Sequence, residues 1–244
     1  MFVSKGKSML KPTKSDPGVA AYRLQTVFPH FGQALITALK KENGEKKLLP
    51  EWRELQIIKL VNAINLYAAD LTDRYRSKRI DALATITRNL AEICIWTQYC
   101  NLSEEKARTF FEDSARDFRE MMESLQKLYT STNGKPEAKL TEMLESFQTV
   151  AAAHGIKDYD ERYVSVRDAA EEVGRLEAFS TLYKAFSKLA HPTSLILALD
   201  PQTGSLSEML NSLYVGGECF ASASLREIEK SLYKAYPSLS LSRP

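Results

Sequence analysis

The sequence predicts an all-α protein, a bundle of about seven mostly antiparallel helices, and three features carry that expectation. Apolar side chains recur at the 3.6-residue period over most of the 244 residues. The ten glycines and nine prolines fall mainly between those stretches, where they punctuate and do not interrupt. No segment shows the strict alternation of a half-buried strand.

The elements follow in order. A first helix runs from about Pro17 to Lys41 and ends in the Lys-Glu-Asn-Gly stretch before Glu45. Pro50 opens a second, to about Leu71, whose interior from Leu55 to Ala69 has Lys59 as its only charge. The third, about Thr72 to Cys100, starts basic and turns apolar. Ser103 caps a fourth, to about Thr130, in which Ala107, Phe111, Ser114, Phe118, Met121, Leu125 and Leu128 alternate spacings of four and three, an a/d seam of core residues. Asn133-Gly134 breaks it. Pro136 and Glu137 open a fifth with Leu140, Leu144, Phe147 and Ala151 on one stripe, closed by Gly155 at C′. Asp158 with Glu161 forms a capping box for a long sixth helix reaching His191, and Ser205 with Glu208 another for a last helix to about Tyr236.

These elements divide the chain into a basic disordered arm (1–16), an N-terminal helical hairpin (17–72) packed on a helical bundle (73–238), and a tail (239–244). With 44% hydrophobic residues the chain is long enough to bury a large core. A net charge of +2 leaves any nucleic-acid or membrane affinity to local patches. Residues 1–16 carry Lys5, Lys7, Lys11 and Lys14 without an apolar stretch, unlike a signal peptide. No run approaches the roughly 18 apolar residues of a membrane span. Cys94, Cys100 and Cys219 lack disulfide or zinc spacing, so a reducing cytoplasm is expected.

The candidate site lies in the third helix. From Ile80 to Leu102 the only charges are Asp81, Arg88 and Glu92, and a helix that apolar should be largely buried, so those charges need partners in the protein or at a cavity mouth. Arg88 precedes Glu92, the poorer order for a surface pair, which argues against a simple surface role. Either a ligand site or a buried polar network that fixes helix register satisfies the pattern. If the pair is buried, removing either partner costs roughly 3 to 5 kcal/mol.

A second cluster sits at the end of the sixth helix. Ser180, Ser187 and His191 line a polar stripe beside the apolar arc of Leu176, Phe179, Leu182, Tyr183, Phe186 and Leu189. Pro192 breaks the helix at His191, placing the imidazole near unpaired carbonyls that favour its protonated form. A histidine that only caps the helix end is the simpler alternative.

An Arg-x-x-x-Glu pair on an apolar helix, followed by a Tyr-x-x-x-Ser-x-x-x-His-Pro helix end, resembles a widespread uncharacterised family of bacterial helical domains. The resemblance covers residues 73–235 and rests on Arg88, Glu92, Tyr183, Ser187, His191 and Pro192. It implies an all-helical fold without established chemistry, with helices three and six adjacent and Arg88, Glu92 and His191 at one pocket. Arg23 and His30, six residues between them, are also similar to the R-x(4 to 6)-H motif of HEPN ribonucleases, although Pro29 interrupts that helix face.

No phosphate loop, dinucleotide fingerprint or zinc-protease motif is present, and His30, His154 and His191 have no mutual metal spacing, so neither metal nor cofactor is expected. His154 beside Gly155 reads as a helix-end residue. The basic run Arg74, Arg76, Lys78 and Arg79 is either a solvated helix start or a phosphate contact. The expected function is recognition of an anionic ligand, a nucleotide or RNA, in a prokaryotic defence or toxin setting that the Arg/His resemblance implies. Arg88 would bind the anion, Glu92 would orient Arg88, Tyr183 and Ser187 would line the site, and His191 would donate a hydrogen bond. The alternatives are a HEPN-like metal-independent ribonuclease using His191 or Arg23/His30, and a noncatalytic module with a homo-oligomeric or other protein partner.

Overall fold

The computed structural model describes residues 16–135, 137–156, 164–190 and 204–239, and every regular element among them is helical. Asp16 accepts the Gly18 amide at 2.8 Å and caps α1 (Pro17–Tyr22), which passes through a π-helical turn (Arg23–Val27) into α2 (Phe28–Lys46). Pro29 explains the turn. It has no N–H for the Gln25 carbonyl and its ring would crowd that group, so the helix widens by one residue and the Phe28 amide reaches back to Arg23. Proline is thus absorbed without a break.

α2 also runs past Lys41 to Lys46, because Asn43 does not end it. The Asn43 side chain receives the Leu49 amide at 2.9 Å, donates to the Leu49 carbonyl at 3.1 Å, and accepts the Tyr236 hydroxyl at 2.6 Å. Lys47, in the left-handed region at φ 48°, makes the turn instead. α3 (Glu51–Arg76) begins after Pro50 as expected but extends beyond Leu71. The break falls at Lys78, φ 55°, and α4 (Ile80–Cys100) follows. The basic run therefore forms this turn, with Arg79 donating to Asp81 at 2.8 Å and Arg74 set 3.9 Å from Asp70.

α5 (Glu104–Asn133) starts on the Ser103 cap and ends at Gly134, φ 73°. α6 (Ala138–Ala153) closes as expected: Gly155 takes φ 73°, and the Ile156 and Gly155 amides donate to Ala151 and Ala152 at 3.0 and 2.9 Å, a Schellman closure. The single long sixth helix is not found. A capping box between Ser165 and Asp168 starts α7 (Val166–Glu172), Gly174 at φ 68° turns the chain, and α8 (Leu176–Ala190) follows. The expected box at Asp158 and Glu161, and the helix end at His191 and Pro192, lie outside the described residues. α9 (Gly204–Ala235) begins one residue ahead of Ser205 and ends one short of Tyr236.

α4 is the central helix, packed against α9, α8 and α3. One core joins Ala20 and Leu24 of the N-terminal segment to Leu35, Val61, Leu90 and Leu232, and takes in Leu239 from the expected tail. Gly217 on α9 lets α3 approach; a Cβ there would stand 2.6 Å from Leu71. A smaller cluster of Ile95, Tyr99, Ala169, Ala170 and Phe179 joins α4 to α7 and α8.

The a/d seam of α5 is only half a core. Ala107 and Phe111 are buried and Phe118 is half-buried, whereas Ser114, Met121, Leu125 and Leu128 are exposed. The first half of α5 meets the body; farther on it packs against α6 through Phe118, which stacks on Phe147, and buried Met122, and that contact leaves Met121, Leu125 and Leu128 uncovered.

Candidate functional site

Adjacent packing of α4 and α8 brings Arg88, Glu92 and Tyr183 together. Arg88 Nε donates to Glu92 Oε1 at 2.9 Å, and Arg88 Nη2 donates to the Tyr183 hydroxyl at 2.5 Å. The guanidinium carbon stands 4.2 Å from the Tyr183 ring centroid, so charge, hydrogen bond and ring face act on one cation. The pair is half-buried and not fully enclosed, with 27% and 26% of the two side chains exposed. A charged pair in an apolar helix is tolerated because it sits at the edge of the α4–α8 contact, where water still reaches it. Ser187 is half-buried one turn beyond Tyr183. His191 lies outside the described residues.

Glu92 also faces a groove of about 380 Å³ between α3, α4 and α5. Its α4 wall is Asn89, Glu92, Ile93 and Trp96; α3 supplies Lys59, Leu60, Ala63 and Tyr67; α5 supplies Phe110, Phe111 and Ser114. Trp96 and Phe110 stack on one another with centroids 4.7 Å apart and planes 28° apart, placing two aromatic rings on the groove wall. Arg88 acts on the groove through Glu92, because two of its guanidinium nitrogens are engaged by Glu92 and Tyr183. Lys59 and Glu92 are the two charged side chains lining the groove. Sequence reasoning did not assign Lys59, Asn89, Trp96 or Phe110 to a site. One signal was present, since Lys59 is the sole charge between Leu55 and Ala69.

The groove has a rigid foundation. Gln56, at its base, donates from Nε2 to the Ala107 carbonyl at 2.7 Å and accepts from Arg53. Arg53 Nη2 donates to the Cys100 carbonyl at 3.0 Å, and Asn101 Nδ2 to the Glu227 carbonyl at 2.7 Å. This chain of bonds ties α3 to the α4–α5 turn and to α9. Burial lowers the Arg53 pKa, opposed by nearby Cys100, and pushes the Cys100 thiol up to about 12.

The other candidates are dispersed. Arg23, in the π turn, donates to the buried Glu218 carboxylate at 3.3 Å, while His30 is exposed. His154 ends α6 with its ring edge-on to Phe111, centroids 5.9 Å apart. Among the described residues no group of three His, Cys, Asp or Glu could hold a metal ion, and no helix is long and apolar enough to cross a membrane.

The model of a family of unknown function, DUF5677, matches residues 55–203. The chain belongs to that family. The DUF5677 match starts inside α3 and not at 73, and ends ahead of α9 and not at 235. It thereby contains Arg88, Glu92, Tyr183 and every groove wall. The DUF5677 description carries no HEPN assignment, so the Arg23/His30 expectation rests on spacing alone. No significant match appears among curated proteins or solved structures.

Proposed function

We propose that this protein binds a nucleotide, free or as part of an RNA, in the groove between α3, α4 and α5. The observation that supports the reading is the stacked Trp96–Phe110 surface beside a carboxylate that Arg88 holds in place. A base would stack on the aromatic face, a contact worth roughly 1 to 3 kcal/mol. Its amino edge would donate to Glu92 and Asn89, and Lys59 would meet the phosphate. Arg88 then positions Glu92 and does not itself bind the anion. A defence or toxin setting is part of this proposal through the Arg/His resemblance alone.

Trp96 reports the test directly. In a Trp52→Phe background, adenosine and guanosine nucleotides and a short RNA should quench its fluorescence, with at least tenfold weaker binding in Lys59→Ala and Glu92→Gln. No response to any of these at millimolar concentration would remove the reading. The ribonuclease alternative is separated by an RNA cleavage assay in EDTA. We expect no turnover; cleavage lost in His191→Ala or in His30→Ala would replace binding with catalysis at the corresponding site.

A further inference from the structure

The two long walls of the groove are in register, and the register sets its polar groups in a fixed order. α3 and α4 run antiparallel across the short connection at 77–79, so residues equally far from that connection lie level with one another. Lys59 and Trp96 each stand about five turns away, and Tyr67 and Asn89 about three. Glu92 falls between the two pairs, one turn from Trp96 and one from Asn89 on the same wall. Across from it stands Ala63, whose single methyl is too small to fill the space in front of the carboxylate.

The hydrogen-bonding capacity at that point is one-sided. Arg88 Nε occupies one lone pair of Glu92 Oε1; among the described residues no group donates to Glu92 Oε2, and the Asn89 amide makes no bond. A carboxylate paired with arginine accepts and does not donate. Glu92 therefore offers two oxygens side by side, each with room for a further N–H, and Asn89 can present its own oxygen one turn along. The carboxylate is also held in advance, because Arg88 is itself fixed by Tyr183, so less ordering is required of it on binding.

We propose that the groove selects guanine over the other common bases, with Glu92 as the specificity-determining residue. This rests on the nucleotide reading above and adds the identity of the base. To meet both carboxylate oxygens, a ligand must carry two donors side by side. Guanine has them in N1–H and N2–H, and its second amino hydrogen is left for Asn89. Adenine and cytosine set a ring-nitrogen acceptor beside the amino group, and uracil flanks its one N–H with two carbonyls. Each would turn a lone pair toward the carboxylate and leave polar groups unpaired on both sides. Lys59 meets the phosphate whichever base is bound, and so adds affinity without choosing.

Titration of Trp96 fluorescence in the Trp52→Phe background, with guanosine, inosine and adenosine monophosphates, tests this. GMP is expected to bind at least about tenfold more tightly than AMP, and inosine monophosphate, which keeps N1–H but lacks the amino group, to fall between them. Glu92→Gln should bring GMP and AMP to within about twofold of one another, whereas Lys59→Ala should weaken both alike and leave their ratio in place. An oligouridine carrying one guanine that binds more tightly than GMP supports the proposal with RNA as the source of the base; GMP binding as tightly or more tightly supports it with the free nucleotide. AMP or inosine monophosphate matching GMP overturns guanine selection while nucleotide binding stands, as does a preference that Glu92→Gln leaves intact. No response to any of these nucleotides or to the RNA overturns both readings.

Discussion

Arg88 on α4 donates to the Tyr183 hydroxyl on α8 at 2.5 Å, across 95 residues of chain, while the same guanidinium holds Glu92 one turn along its own helix. The contact makes the Arg-x-x-x-Glu pair a link between helices. It also changes the energetic expectation, since roughly a quarter of each charged side chain stays in water.

Removing Arg88 should therefore cost less than the figure for a fully buried pair. Arg88→Ala is expected to destabilise by roughly 1 to 2 kcal/mol, because Glu92 and Tyr183 regain water as partners. Tyr183→Phe should cost less and be non-additive with Arg88→Ala in a double-mutant cycle read by urea unfolding. Additive losses would show that Arg88 and Tyr183 do not couple.

Arg53 should be the more costly arginine. It is 8% exposed, and its loss strands the Gln56 side-chain oxygen and the Cys100 carbonyl away from water. Arg53→Ala should destabilise by about 3 kcal/mol, and Arg53→Lys should recover only part of this because an ammonium lacks the planar fork. A loss below about 1 kcal/mol for Arg53→Ala would mean that the network relaxes without it.

The neighbouring glycines of α9 should respond with opposite signs. Gly217→Ala drives a methyl into Leu71 and should cost roughly 1 to 3 kcal/mol. Gly216→Ala meets its nearest neighbour, Thr87, at 3.9 Å, so the higher helix propensity of alanine should stabilise by about 0.5 to 1 kcal/mol. Thermal unfolding of the two variants reads both signs.

Alkaline pH should weaken the fold through Cys100. Burial raises its thiol from 9.0 to about 12, so the folded state keeps a proton that the unfolded chain releases. This stabilisation is complete below about pH 9 and declines as pH rises toward about 12. The decline should be shallower in Cys100→Ala when urea midpoints are compared across that range. A thiol reagent should label exposed Cys219 before buried Cys94 and Cys100; equal rates would contradict the burial that raises Cys100.

The fold class was legible because helical periodicity, caps and glycine stops are local signals. Ser103, Gly134 and Gly155 act where their chemistry predicts, each satisfying or releasing groups within a few residues. The misplacements have non-local causes. α2 outlasts the Asn-Gly signal because Asn43 is held by Leu49 and by Tyr236 from the far end of the chain. The long sixth helix divides at Gly174, where a left-handed residue ended one helix that periodicity alone ran together with the next.

The all-helical class and the isolation of Arg88 and Glu92 in an apolar helix are readable from the residues themselves, whereas the adjacency of that helix to the Tyr183 helix was expected only from the family resemblance. Packing settled that Arg88 is engaged by Tyr183, that Glu92 faces a groove with Lys59, Trp96 and Phe110, and that half of the α5 seam stays exposed. The physical reason is that hydrophobic spacing specifies which face of a helix seeks cover. Which helix supplies that cover, and where the supply ends, depends on how all the helices pack together.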